Sequence, residues 1–156
     1  MKVTFISRFF YLLLFCLFIA LGRPVDASET TSLDQNKISI ILPGGEKIEA
    51  VVADTTAARS AGLMGRSRLG LNEGMLFLFK TTEPHLIWMK NMLIPIDIIW
   101  LNEKKEIIEI VQSAPPCSND PCEVFGPELP SRYVLEIRDG SSKWLHLKNG
   151  LTLKFP

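Results

Sequence analysis

Neither sign of charge dominates this chain: Lys and Arg number 17, Asp and Glu number 17, in 156 residues. It has no basic stripe and no aromatics interleaved among cations, so the electrostatic footprint of a nucleic-acid binder is missing. It also lacks a nucleophile elbow, a glycine loop able to cradle phosphate and a metal triad, and so announces no reaction by motif. No internal repeat and no second domain boundary interrupts it. Cysteine is scarce, with 3 residues. Long apolar runs are absent beyond the first two dozen positions.

The one long run is at the start. Lys2 and Arg8 precede thirteen apolar residues, 9–21, and Val25-Asp26-Ala27 supplies small residues at the minus-three and minus-one positions. This is the pattern of a secretory signal peptide cleaved after Ala27. As a helix the run would span about 20 Å, short of the roughly 30 Å of a membrane core, so no stable span is expected after cleavage. Cys16 is read as filler of the signal core. Removing the leader leaves a net charge of about −2, too small to imply an electrostatic partner. Cys117 and Cys122 remain, an even pair at short spacing, which in an oxidising compartment reads as a disulfide. Four intervening residues do not match the redox Cys-x-x-Cys spacing, and two thiolates do not complete a zinc site.

Residues 28–36 are polar and form a flexible lead-in. From there the chain reads as one β-rich domain, 37–156. Segments 37–42 and 47–53 are β-branched and flank Pro43-Gly44-Gly45, which predicts a hairpin. Asp54-Thr55-Thr56 supplies a helix N-cap before Ala57, Ala58 and Ala61, and Gly62 and Gly65 end the helix. Segments 75–79, 86–89 and 96–101 are apolar on both sides, the pattern of central or sandwiched strands. Further strands are predicted at 106–112, 132–138 and 151–155, with a short helical segment at 141–147. Residues 114–130 hold five prolines and both remaining cysteines, and irregular loops of this length are often functional. The expected fold is mainly β, a single-domain β-sandwich or flattened barrel of about eight short strands with one or two short helices.

Residues 87–101 are nearly all apolar yet contain Lys90, Asn91 and Asp97. A carboxylate beside Ile99 and Leu101 on one side of a strand faces low dielectric and needs a partner. Arg59 and Arg66 are the natural ones, because guanidinium forks match carboxylates. Asp97 is then either a buried ion pair fixing the helix to the sheet or part of a site. Trp88-Met89-Lys90-Asn91-Met92 would form a pocket wall, or else a core tryptophan followed by an asparagine turn. Met64, Met75, Met89 and Met92 read as core filling; the alternative of a soft copper site with His85 is the weaker one. Glu136, between Arg132 and Arg138, reads as a rung of a surface charge ladder.

Several of these residues stand together in a known order. Arg59, Gly62-Leu63-Met64-Gly65-Arg66, Gly74-Met75-Leu76-Phe77-Leu78-Phe79, Trp88-Met89-Lys90-Asn91-Met92, Pro95-Ile96-Asp97 and Arg132-Tyr133-Val134-Leu135-Glu136 follow one another. In combination they resemble the domain of unknown function 192 family, small prokaryotic proteins of which many are exported. The resemblance spans about residues 47–153 and implies a compact, mainly β domain; it implies no activity. The expected function is a periplasmic or secreted binding or accessory module, taking a small anionic or sugar-like ligand at Arg59, Met64, Arg66, Trp88, Met89, Asn91 and Asp97, without a cofactor. The alternatives are an envelope hydrolase or lyase with Asp97 as acid or base, and a protein-interaction domain using the Cys117–Cys122 loop.

Overall fold

A computed structural model describes residues 36–156; the leader and most of the lead-in lie outside the described residues. Among the described residues there are eight strands, β1 (Lys37–Ile41), β2 (Lys47–Ala53), β3 (Glu73–Glu83), β4 (Ile87–Trp88), β5 (Ile96–Leu101), β6 (Ile107–Ala114), β7 (Val124–Phe125) and β8 (Ser131–Arg138), with helices α1 (Thr56–Ala61) and α2 (Ser141–Trp144). Six strands make one sheet in the order β1-β2-β3-β8-β5-β6, while β4 and β7 pair separately. This is the mainly β, two-helix composition the sequence predicts. The predicted last strand forms bridges only, Thr152 to Glu106 and Lys154 to Ile41, so the C-terminal segment reaches both edge strands of the sheet. The eighth strand is instead β7, inside the irregular loop.

All pairings in the large sheet are antiparallel except β2 with β3. Parallel neighbours need a crossover, because a tight hairpin cannot reverse the chain twice. Here the crossover is α1 plus residues 62–72. Thr55 caps α1, its hydroxyl accepting from Ala58 N–H at 3.1 Å, and Gly62 closes it at φ 48°, a conformation that suits glycine.

The sheet is apolar on both faces, as the two-sided strands require. One face carries Ile40, Ile48, Leu76, Ile99, Leu135 and Ile137, packed with Leu147 and Leu153. The other carries Val51, Met75, Phe77, Ile98, Trp100 and Val134 and is covered by Leu63, Leu69, Ile87, Met89 and Met92. The crossover and β4 thus roof this second face. Among the described residues no helix is long and apolar enough to cross a membrane.

Candidate functional site

Asp97 lies in β5 and is completely buried. It is paired, but not by arginine. Oδ1 accepts from Ser113 N–H at 2.9 Å and Gly140 N–H at 3.1 Å, and Oδ2 accepts from Ser142 N–H at 2.8 Å. Three backbone donors satisfy an acceptor well, and together they fasten the β8–α2 turn and the end of β6 to the sheet. The expected Asp97–arginine pair is therefore corrected. Register explains why: Asp97 sits opposite Ile137 on β8, on the face packed with Leu147 and Leu153, whereas α1 roofs the other face.

Arg59 takes a different role. Its Nη1 donates to the carbonyls of Asp54 at 2.7 Å and Leu78 at 3.0 Å, and its guanidinium lies 5.3 Å from the centre of the Phe79 ring. No carboxylate pairs with it among the described residues. Arg66 is half-buried and lies away from Arg59's cleft. Asn91 is exposed at φ 59°, a turn position asparagine tolerates. Met89 is a core residue, 1% exposed. Of the seven expected ligand residues, Arg59, Met64 and Trp88 line a common cleft; Arg66, Met89, Asn91 and Asp97 do not.

That cleft, of about 270 Å³, opens between α1 and β4. Its walls are Thr56, Arg59 and Ser60 from α1, Leu63 and Met64 after it, Phe77 and Phe79 from β3, Leu86, Ile87, Trp88 and Lys90 around β4, and Met92. Glu136 lines it as well. Far from sitting on a surface ladder, Glu136 is 4% exposed, in β8 between Met75 of β3 and Ile98 of β5. Directly opposed residues share a face, so its carboxyl rises from the apolar floor beneath α1. Oε2 has no hydrogen-bond partner among the described residues. Burial pushes the carboxyl up to about 8, since low dielectric disfavours the charged form. The buried Ser141 and Ser142 hydroxyls also lack partners, but neither lines the cleft. Gly74 lets β8 approach this closely: a Cβ there would stand 2.8 Å from the Glu136 carbonyl oxygen.

The outer wall is fastened by the proline-rich loop. Cys117 and Cys122 form a disulfide. Cys117 N–H donates to Met89 O and Asn91 N–H to Cys117 O, both at 3.0 Å. Lys90 Nζ lies 2.6 Å from Asp120 Oδ2 and 5.5 Å from the centre of the Trp88 ring. Strand β7 completes the clamp by pairing with β4. No group of three or more His, Cys, Asp or Glu able to hold a metal exists among the described residues; Met75, Met89 and Met92 are buried core side chains.

Residues 39–155 match the model of DUF192, described as "Uncharacterized ACR". The chain belongs to this family. Two solved structures share the DUF192 chain's fold at a TM-score of 0.69. One is a protein from Sinorhizobium meliloti 1021 described as "a putative transcription regulator", 30% identical, over 76% of this chain and 92% of that one. The other is a protein of unknown function from Novosphingobium aromaticivorans DSM 12444, 29% identical, over 76% of this chain and 83% of that one. No functionally curated protein matches.

Proposed function

We propose that this member of DUF192 is an exported small-ligand-binding domain whose site is the cleft between α1 and β4, with Glu136 on its floor. The orphan oxygen of Glu136 carries this reading. A buried acid without a partner destabilises the empty fold, whereas an apolar side chain between Met75 and Ile98 would not. A hydrogen-bonding ligand supplies what Oε2 lacks. The surroundings suit one: apolar and aromatic walls with a few convergent polar groups are the usual make-up of a small-molecule site. Export is supported by the signal-like leader and by a disulfide, which persists in oxidising compartments.

The hydrolase or lyase alternative draws no support from Asp97, whose oxygens are occupied by backbone amides on the opposite face. Glu136 Oε2 bonds no second titratable group among the described residues, the pairing that alternative calls for. The description of the Sinorhizobium protein points toward DNA, which the balanced charge of this chain does not favour.

Thermal-shift measurements with a small-fragment library on the wild-type chain and on Met64→Trp, which fills the cleft, test the binding reading. Some fragments should raise the Tm of the wild type by several degrees and leave Met64→Trp unmoved. A library with no fragment that distinguishes the two proteins overturns it.

A further inference from the structure

The polar groups of the cleft that are already occupied, and those that are not, define the ligand's chemistry, given the binding reading above. Among the described residues, three side chains lining it can carry charge: Arg59, Lys90 and Glu136. The Lys90 ammonium is answered by Asp120 at 2.6 Å. The Arg59 guanidinium is held by two main-chain carbonyls, the Thr56 hydroxyl at 3.4 Å and the Phe79 face, contacts that orient it and leave its charge unneutralised. Glu136 is buried beside Met75 and Ile98, neutral residues, with Oε2 free. The cleft thus offers one unanswered positive charge and one unanswered hydrogen-bonding oxygen, in a lining that also holds the apolar Phe77, Phe79, Met64 and Met92.

We propose that the cleft takes a small organic monocarboxylate with an apolar body, whose charge answers Arg59 and which accepts a hydrogen bond from the Glu136 carboxyl. Arginine prefers carboxylate oxygens geometrically, and a protonated carboxyl is a donor in search of an acceptor. Burial, which raises the Glu136 pKa to about 8, keeps that donor in place at neutral pH. The opposing class is an organic cation, which aromatic walls and an acid also attract. A cation would have to ionise Glu136 in a dry floor and lie in the same cleft as an unneutralised guanidinium, two costs a carboxylate avoids. Among the described residues, these other charged or titratable groups line or adjoin the cleft. On the α1 side there is Arg59, near β4 there is Lys90 paired with Asp120, and on the β3 side His85 stacks on Phe79 at 3.5 Å.

Isothermal titration of the purified protein with three probes of one skeleton tests this: 3-phenylpropionate, 3-phenylpropanol and 3-phenylpropylamine. At pH 6.5 the propionate should bind at least tenfold more tightly than the alcohol, and the amine should give no heat. Above pH 8 the affinity for the propionate should fall about tenfold per pH unit as Glu136 ionises. Glu136→Gln, which keeps an N–H donor but cannot titrate, should bind severalfold more weakly and without that slope. Arg59→Gln should lose at least tenfold. Preference for the amine, equal binding of alcohol and propionate, or a slope that persists in Glu136→Gln overturns the proposal. Silence of all three probes, while other fragments still shift the wild type but not Met64→Trp, overturns the ligand class and leaves the binding reading standing. If no fragment binds the cleft, both fall.

Discussion

Asp97 and Glu136 are two buried acids on neighbouring strands of one sheet, one register position apart, and they differ in almost every physical respect. Asp97 faces the side packed with Leu147 and Leu153 and has three backbone N–H donors around it. Glu136 faces the side roofed by the crossover, lines a cleft and leaves Oε2 unpartnered. Burial alone therefore says little about what an acid does. A carboxylate whose acceptor sites are filled by its own fold is a fastening, and one with an empty acceptor site beside a cavity is available to something else.

The strongest way to break this contrast is to remove the fastening. Asp97→Ala strands the amides of Ser113, Gly140 and Ser142 in a part-buried or buried setting, and should cost about 3–5 kcal/mol in urea unfolding. Asp97→Asn should cost about half of that, because Oδ1 alone serves two of the three donors and the new NH2 group meets the third donor head-on. Neither variant that remains folded should lose ligand binding at the cleft. Loss of binding with intact folding would make Asp97 part of the site after all.

A second, smaller perturbation acts on the other face. Replacing Cys117 and Cys122 by serine opens a short loop, worth about 2 kcal/mol in the chain-entropy model. Because that loop is tied to residues 87–91 through Met89 O, Asn91 N–H, the Lys90–Asp120 pair and the β4–β7 pairing, the outer wall of the cleft should loosen with it. Hydrogen exchange should speed up at Ile87, Trp88 and Asn91, while the amides bound to Asp97 stay protected. Uniform loss of protection on both faces would show that the two act as one cooperative unit.

Much of the fold was legible from alternation. The hairpin, β3, β5 and β8 stand within a few residues of their expected positions, and the two-sided strands 75–79 and 96–101 correctly announce a sheet covered on both faces. Strand β7 was hidden because two residues between prolines carry no period. The site was legible only in part. The embedded Asp97 stands out as a lone acid in an apolar run, but its partners are backbone amides from distant turns, which no side-chain pattern displays. Glu136 is obscured in the sequence because Arg132 and Arg138 flank it at alternate positions and imply an outer face. Arg132 instead turns to Lys80 O, and Arg138, the last residue of β8, is exposed. The usable clue was Val134: it shares that face with Glu136, and β3, apolar on both sides, requires its neighbours to be covered too.

The least perturbing test compares the two acids through pH. For Glu136 the folded-state pKa of about 8 lies above the ordinary value of 4.5, so between those limits the native state holds a proton that the unfolded chain has released. Stability from this group is full below pH 4.5, declines as pH rises and levels off beyond 8. The slope is about 1.4 kcal/mol per pH unit for one proton. Between pH 6 and 7 the wild type should therefore lose about 1.4 kcal/mol relative to Glu136→Gln, and the variant should become the more stable protein on the alkaline side. Ligand that accepts the Glu136 proton donor should extend the stable range upward, because it binds only the protonated native form. If urea unfolding of the wild type and Glu136→Gln runs parallel from pH 5 to 9, the floor of the cleft is wetter than its neighbours Met75 and Ile98 make it. The distinction between the two acids would then rest on hydrogen bonding alone.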